Sequence, residues 1–236
     1  MSKKMKKLET NKVYEGNSLD VLKTFPDESL DMCVTSPPYW GLRDYGTANW
    51  KGGKEDCDHT IPCDWTAGKV QKANHGSMRT YTELCKRCGA KRVDEQLGLE
   101  STPEKFINNL CDIFDEVKRV LRPHGSCWVN LGDSYVRSPS QQDPVGKTGI
   151  QSTKYQYNFK HKKNYSSTYR AKSLVQIPSR FAIEMTDRGW ILRNEIIWHK
   201  PSCMPASVKD RYTVDFEKMF FFTKNPKYYF KQQLEP

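Results

Sequence analysis

The sequence predicts an α/β fold, and three stretches carry this prediction. Near the N-terminus, a short strand at 12–14, a helix at about 18–24 and an apolar strand at 30–34 follow one another in the order of a βαβ unit. An amphipathic helix then leads into a second apolar strand at 126–131. A third helix, at about 178–187, precedes a long strand at 190–198. Helices that alternate with apolar strands in this way build a largely parallel sheet.

The second helix has the clearest signals. Ser101 or Thr102 can cap its start, Pro103 suits its first turn, and Ser101 and Glu104 have the spacing of a capping box. The segment RPHG at 122–125 is expected to end the helix. Apolar residues recur between these limits at steps of three and four, as one buried helix face requires: Phe106, Leu110, Ile113, Val117 and Val120.

The rest of the chain divides into strands and two irregular stretches. The apolar segments 216–223 and 227–230 flank an Asn-Pro pair and predict a β-hairpin. Residues 41–97 are rich in Gly, Lys, Asp and Cys and show no sustained period, so they are interpreted as an insertion. Residues 137–172 are interpreted as a basic loop. We therefore expect a single domain over residues 1–236 that carries both stretches.

The charge balance favours a polyanionic partner. The 236 residues carry a net charge of +10, and residues 137–172 alone hold eight Lys or Arg against one Asp. Nucleic acid is the first candidate for such a partner. No window reaches the roughly 18 apolar residues of a membrane helix, and no apolar core follows the basic N-terminus. Eight cysteines without an export signal favour reduced thiols or metal ligands, so a cytoplasmic protein is expected.

The segment TSPPYW at 35–40 holds the strongest chemical signal. It follows an apolar strand and so lies at the carboxyl edge of the sheet, where open α/β sheets bind ligands. The Ser36 hydroxyl and the adjoining carbonyls are hydrogen-bond acceptors. Pro37 and Pro38 lack an N–H and have a fixed φ, which holds those carbonyls in place. The plainer interpretation is a proline-rich turn that ends the strand.

The longer segment SPPYWGLRDYG at 36–46 resembles the signature of DNA methyltransferases that methylate an exocyclic amino group. The similarity continues through LGLESTP at 97–103, VNLGDSY at 129–135, EIIWHKP at 195–201, Asp210-Arg211 and the segment 217–224. It implies a Rossmann-like methyltransferase sheet, S-adenosylmethionine as cofactor and double-stranded DNA as partner. Serine in the first motif position favours cytosine N4 over adenine N6. Phe216 departs from the family, which often has His there.

The resemblance also implies roles for individual residues. In this family hydrogen-bond acceptors hold the amino group of a flipped base, and the base itself stacks on an aromatic ring. The implied catalytic residues are Ser36, Pro37, Pro38 and Tyr39. The implied cofactor-binding residues are Asn17, Ser18, Thr35 and Ser36. The expected DNA-binding residues are Trp40, Arg43 and Asp44 at the pocket rim and Trp198 and Lys200 on the neighbouring strand. The composition of the basic loop adds Lys160, Lys162 and Lys163.

A glycine-rich cofactor turn is expected late in the chains of this family. None of the glycines here forms a Gly-x-Gly turn between a strand and a helix, so the predicted sheet could be incomplete. A truncated product, a fragment, or one half of a split enzyme completed by a second chain would each explain this. A catalytically silent DNA-binding remnant is the alternative from another functional class. An RNA methyltransferase with the same four-residue chemistry is a third hypothesis.

Cys57, His59, Cys85 and Cys88 form a candidate zinc site within the insertion. A C-x-x-C pair followed by glycine makes a tight knuckle, and Zn²⁺ takes four N or S ligands tetrahedrally. Such a closed set would be structural rather than catalytic. Cys63 is an alternative ligand, and a redox role is the alternative for the C-x-x-C pair. In the basic loop, cations alternate with aromatic residues at 154–165, which suits phosphate contacts and base stacking but also a disordered linker.

Overall fold

The computed structural model describes residues 8–41, 47–61, 79–80, 84–136 and 169–233. The chain forms two compact units, one of Met1–Arg43 with Leu97–Pro236 and one of Asp44–Gln96. The helices and strands in chain order are α1 (Ser18–Lys23), β1 (Leu30–Thr35), β2 (Asn49–Lys51), β3 (Thr60–Ile61), β4 (Arg79–Thr80), β5 (Lys91–Val93), α2 (Pro103–Val120), β6 (Leu121–Leu131), α3 (Ile177–Asp187), β7 (Ile191–His199) and β8 (Phe216–Thr223).

The larger unit is built on a mixed four-stranded sheet in the order β1-β6-β8-β7. Strands β1 and β6 are parallel, and the chain between them passes through α2, as in a βαβ unit. Strand β8 runs antiparallel to both of its neighbours, β6 and β7. The predicted α/β class is therefore confirmed, with one antiparallel strand inside the sheet.

Helices α2 and α3 supply the core that packs against this sheet. The predicted apolar face of α2 is buried through Phe106, Leu110 and Val117. Phe181 of α3 is fully buried, and its ring centroid lies 6.2 Å from that of Phe220 on β8. On β6 and β8, Trp128 stacks on Phe221 at 4.2 Å between ring centroids, outside this helix-facing cluster.

The junction between α2 and β6 differs from the sequence-based expectation. Thr102, not Ser101, is the N-cap of α2, and its side chain accepts a hydrogen bond from the Lys105 amide. The RPHG segment does not separate helix from strand, because β6 begins directly after α2 and contains it. Between two aligned positions β6 advances from 121 to 126 while β1 advances only from 30 to 32, so the segment forms an irregularity in the strand pairing.

Two predicted strands are wrong. Residues 12–14 form no strand, and Val13 is 92% exposed, because no neighbouring strand buries it among the described residues. Residues 227–230 form no strand either, so the predicted hairpin is not formed. Both edges of β8 are already paired, with β6 and β7, which leaves no edge for a hairpin partner. Instead the Phe230 ring stacks on Phe221 at 6.1 Å between centroids.

The smaller unit contains two antiparallel strand pairs, β2 with β5 and β3 with β4. A bridge between Leu84 and Lys91 extends the structure around β5. Across both units, no helix in the described ranges combines the length and the apolar character needed to span a membrane.

Candidate active site and metal centre

The carboxyl ends of β1 and β6 bring polar side chains together. Ser36 directly follows β1, and Asn130 is the penultimate residue of β6. Because these strands are parallel and Thr35 is aligned with Val129, both residues reach the same edge of the sheet. Ser36 Oγ lies 3.3 Å from Asn130 Oδ1 and 3.3 Å from Tyr39 Oη. Residues 94 positions apart in sequence are thus hydrogen-bonding neighbours.

The antiparallel strand β8 adds a carboxylate to this edge. Its first residues meet the end of β6, where Leu131 is aligned with Lys218, and this places Glu217 beside Tyr39. Tyr39 Oη lies 3.0 Å from Glu217 Oε2 and 2.6 Å from Asn130 Oδ1. Lys200, directly after β7, forms an ion pair with Glu217. We refer to five residues together as the edge network: Ser36, Tyr39, Asn130, Glu217 and Lys200.

The edge network perturbs two of its titratable groups in opposite directions. Burial of the ring and the nearby Glu217 carboxylate raise the pKa of Tyr39, so its phenol keeps its proton at neutral pH. Partial burial alone would raise the pKa of Glu217, but hydrogen bonds from Lys200 and Tyr39 outweigh it and lower that pKa. The site therefore holds a neutral phenol against an ionised carboxylate.

Two glycines leave space for the Tyr39 segment. A Cβ added to Gly132 would lie 2.6 Å from Cε2 and 2.7 Å from Cδ2 of the Tyr39 ring. A Cβ added to Gly98 would lie 2.8 Å from the Tyr39 carbonyl oxygen, and Gly98 has a φ of +92° that favours glycine. The position of Tyr39 thus depends on small residues from two separate parts of the chain.

The implied cofactor residues lie at the ends of α1 and β1. Asn17 is the N-cap of α1, and its Oδ1 accepts a hydrogen bond from the Leu19 amide at 3.0 Å. Ser18 is the first residue of that helix, and Thr35 is the last residue of β1. A cleft of about 300 Å³ that Asp31, Met32, His124, Ser126 and Tyr229 line lies towards the start of β1, away from these residues and from Ser36.

Trp40 supports the site from the core. The sequence predicts it as a DNA contact at the pocket rim, but it is only 6% exposed and its indole N–H donates to the Glu100 carbonyl at 3.0 Å. The Ser134 hydroxyl donates to the Trp40 carbonyl at 3.0 Å. Asp133 accepts from the Ile177 amide at 3.0 Å, and burial raises the pKa of its carboxyl. These bonds tie the turn after β6 to the Trp40 segment and to the start of α3.

The other predicted DNA contacts have mixed placements. Trp198 is 53% exposed on β7, whereas Lys200 is engaged by Glu217. Arg43, Asp44, Lys160, Lys162 and Lys163 lie outside the described residues, as does Cys63. Sequence reasoning assigns no role to Asn130, Gly132 or Glu217, although the stretches 129–135 and 217–224 that contain them belong to the resemblance.

In the smaller unit, the structure brings the four predicted metal ligands together. The ligand atoms of Cys57, His59, Cys85 and Cys88 all lie within 4.8 Å of one another. The Sγ atoms of Cys57 and Cys85 are 3.8 Å apart, and Cys88 Sγ is 3.5 Å from His59 Nδ1. Three sulfurs and one imidazole nitrogen at these separations form a donor set that suits Zn²⁺.

The backbone around this cluster has the geometry of a metal-binding knuckle. The Gly89 amide donates to the Cys85 carbonyl at 2.8 Å, and Gly89 has a φ of +76°. Backbone hydrogen bonds from Lys54 and Ala90 lower the pKa of the Cys88 thiol to about 6, which favours the thiolate. A tight turn with amides that face a sulfur is thus already formed.

The second side of the cluster also leaves little freedom. His59 stacks on Trp50 with ring centroids 4.4 Å apart, which limits the motion of its ring. A Cβ on Gly53 would lie 2.7 Å from Cys88 Sγ, so glycine is needed for that chain to pass the sulfur. The donor atoms are therefore held by their surroundings rather than gathered on a free loop.

Comparison with known proteins finds relatives that are named Type II methyltransferases. Type II methyltransferase M.Cfr9I of Citrobacter freundii is 34% identical over 224 residues, which are 92% of this chain and 56% of that protein. Type II methyltransferase M.SfiI of Streptomyces fimbriatus is 36% identical over 218 residues, 92% of this chain and 37% of that protein. The chain thus spans from about a third to just over half of the length of these relatives.

Solved structures show more distant similarity. A putative DNA modification methylase from Thermus thermophilus, complexed with S-adenosyl-L-methionine, shares 19% identity at a TM-score of 0.47, over 92% of this chain and 57% of that chain. The PvuII DNA methyltransferase, which is cytosine-N4-specific, shares 19% identity at a TM-score of 0.45, over 89% and 48% of the two chains.

The family assignment comes from the sequence itself. The family model N6_N4_Mtase, described as DNA methylase, matches residues 30–236. This range begins with β1 and includes the Ser36 segment, both later helices and all of the edge network. The chain therefore belongs to the N6_N4_Mtase DNA methylase family.

Proposed function

We propose that this chain carries the catalytic centre of an S-adenosylmethionine-dependent DNA methyltransferase. The observation that carries the proposal is the edge network, in which acceptor oxygens gather at the carboxyl ends of β1 and β6. The names of the relatives, which are Type II methyltransferases, support DNA as the substrate. Ser36 as the first motif residue favours cytosine N4 over adenine N6 as the methylated position.

The edge network suits the chemistry of a weak nucleophile. The lone pair of an exocyclic amine is delocalised into the base, so acceptors must hold its N–H groups and draw the nitrogen towards tetrahedral geometry. Ser36 Oγ and the Pro37 carbonyl would serve as these acceptors. Pro38 adds a second residue with fixed φ and no competing N–H. The Tyr39 ring, fixed through its hydroxyl, would stack on the flipped base. Positioning would supply the main catalytic effect.

S-adenosylmethionine would supply the methyl group as an electrophilic sulfonium. The residues of this edge fit that cation, because Ser36 and Asn130 present oxygens and the Lys200 ammonium is neutralised by Glu217. Thr35 and Ser36 would lie at the methyl end of the cofactor. Asn17 and Ser18 would contact the nucleoside end, with Asn17 also capping α1.

DNA would approach this edge of the sheet. Trp198 is exposed on β7 and aligned with Glu217 of β8, so it projects from a strand next to the site. The net charge of +10 would attract the phosphate backbone. The predicted DNA contacts still include Arg43, Asp44, Lys160, Lys162 and Lys163. Lys200 also remains a predicted DNA contact, and its ammonium is paired with Glu217.

Replacing Ser36 by alanine should lower methyl transfer at least about tenfold, because the amine loses the Ser36 hydroxyl as an acceptor. Hydrogen bonds to Tyr39 and Asn130 hold this hydroxyl in place. The test uses labelled S-adenosylmethionine, mixed-sequence double-stranded DNA and mass identification of the methylated nucleoside. Ser29→Ala is the matched control, because its hydroxyl donates to the Pro26 carbonyl in the turn before β1 and lies outside the edge network. An unchanged rate in Ser36→Ala would contradict the assigned site.

The same assay decides between the two functional classes. Methylcytosine or methyladenine from the purified chain would establish the enzyme and name the base. DNA binding without any methylation, in a protein that also fails to bind S-adenosylmethionine by calorimetry, would favour the silent remnant. Activity that returns on adding a second chain would favour a split enzyme.

We also propose that Cys57, His59, Cys85 and Cys88 hold one structural Zn²⁺. Four donor atoms within 4.8 Å leave no coordination position open for a substrate. The ion would bind the Cys57 and Cys85 sulfurs, which lie 3.8 Å apart, as thiolates. It would hold the 57–59 segment of the smaller unit against the 85–88 knuckle.

Metal removal should unfold the smaller unit. We expect one zinc per chain by elemental analysis, and a cobalt-substituted protein with the absorption of tetrahedral thiolate coordination. Chelation, or Cys88→Ser, should abolish the metal and open the described stretches 47–61 and 84–96 to protease. Cys203→Ser is the control, because Cys203 lies after β7 and outside the cluster. Full resistance to protease after complete metal loss would contradict a structural role.

A further inference from the structure

We infer that Glu217 receives, through Tyr39 and Ser36, the proton that the target amine loses during methyl transfer. This inference rests on the proposed function. It assigns to the carboxylate of β8 a role that the four-residue motif does not contain. The supporting geometry is a continuous line of hydrogen-bonding oxygens: Ser36 Oγ to Tyr39 Oη at 3.3 Å, and Tyr39 Oη to Glu217 Oε2 at 3.0 Å.

The donors and acceptors along this line determine the direction in which it can transfer a proton. Tyr39 has one hydroxyl proton and two facing acceptors, Asn130 Oδ1 at 2.6 Å and the Glu217 carboxylate. Asn130 Nδ2 faces the Lys218 carbonyl at 3.4 Å, so its Oδ1 is turned towards the two hydroxyls and can only accept. An ionised carboxylate also only accepts. Neither Asn130 Oδ1 nor the ionised Glu217 carboxylate can supply a proton to Tyr39, so a proton that enters the line at Ser36 can leave it towards Glu217.

The proton transfer balances without any further reactant. As the new N–CH₃ bond forms and the S–CH₃ bond breaks, the amine nitrogen is left with one proton too many. That proton passes to Ser36 Oγ, the Ser36 proton to Tyr39 Oη, and the Tyr39 proton to Glu217. The two hydroxyls end unchanged, and Glu217 ends as a neutral carboxylic acid. The methylated amine ends neutral.

Lys200 favours the ionised form of Glu217 both before and after the proton transfer. Its ion pair keeps the carboxylate ionised before the reaction, so a proton can be accepted. After the transfer, the Lys200 ammonium faces a neutral acid and favours return of the proton to water. Its side chain is 43% exposed, so solvent reaches the pair. Glu217 acts through Tyr39 and is thus a positioning and proton-accepting residue, not one that touches the base.

The test is a double-mutant cycle in single-turnover methylation. Glu217→Gln keeps the shape and hydrogen bonding of the side chain and removes its charge, and Tyr39→Phe removes the connecting hydroxyl. We expect each to lower the rate about 10- to 100-fold. The double variant should be no slower than the slower single variant. Glu195→Gln is the matched control, because Glu195 pairs with Lys218 across the same two strands, outside the line.

A second readout needs no cofactor or DNA. With ¹³C-labelled tyrosine, the Tyr39 signal is assigned by its loss in Tyr39→Phe and titrated by nuclear magnetic resonance. Glu217→Gln should lower the pKa of Tyr39, and Glu195→Gln should leave it unchanged. A wild-type rate in Glu217→Gln, or rate losses that multiply in the double variant, would overturn the inference. Failure of the proposed function would look different: no variant, and no wild-type protein, would methylate DNA, while the titration still reported the Tyr39–Glu217 contact.

Discussion

Gly132→Ala is expected to lower methyl transfer by more than about a hundredfold while the protein remains folded. The added Cβ would lie 2.6 and 2.7 Å from two ring carbons of Tyr39, closer than a real methyl group can pack. Gly132 does not have the positive φ that makes alanine costly elsewhere, so the contact itself is the cause. The ring must move, and its hydroxyl would lose Asn130 and Glu217 together.

Single-turnover methylation and a thermal melt would check this prediction. The control is the same change in a Tyr39→Ala background, where no ring remains to be displaced. There, Gly132→Ala should cost almost nothing further. An additional large loss in that background would show that Gly132 acts on something other than Tyr39.

Phe181→Ala is expected to lower the free energy of unfolding by about 3–5 kcal/mol. Phe181 is fully buried at the point where α3 meets both α2 and the sheet. Its ring centroid lies 5.3 Å from that of Phe114 and 6.0 Å from that of Phe222. Truncation would leave a cavity lined by aromatic rings, which cannot collapse without moving a helix or a strand.

Chemical denaturation would measure the loss. Ile183→Ala on the same helix is the control, because Ile183 is 61% exposed and its truncation should change the free energy of unfolding by less than about 0.5 kcal/mol. Comparable losses in the two variants would mean that α3 contributes through helix propensity and not through the packing described here.

Sequence spacing predicts the features of the fold that depend on residues close together in the chain, such as a buried helix face and pairs of metal ligands. The apolar face of α2 can be predicted because burial on one helix face requires the three-and-four spacing that its residues show. The four metal-ligand candidates can be found because two of them form a C-x-x-C pair and the other two form C-x-H. Their approach within 4.8 Å needs only that the two segments meet inside one unit.

The order of strands in the sheet could not be predicted in this way. The Asn-Pro pair at 225–226 is a genuine turn signal, yet β8 has no free edge for the segment that follows. The edge network was missed for the same reason. Glu217 and Tyr39 are 178 residues apart, and only the placement of β8 beside β6 makes them neighbours.

The position of β8 has a consequence for the order of synthesis. In the described sheet, β7 pairs only with β8, although the ribosome makes β7 first. A nascent chain that ends before residue 216 therefore carries an unpaired strand, whose backbone N–H and C=O groups are open to other chains. It also lacks the carboxylate that anchors Tyr39. An unfinished polypeptide would thus be prone to misassembly and would also leave the Tyr39 hydroxyl without its carboxylate partner, and synthesis of one late strand would end both conditions.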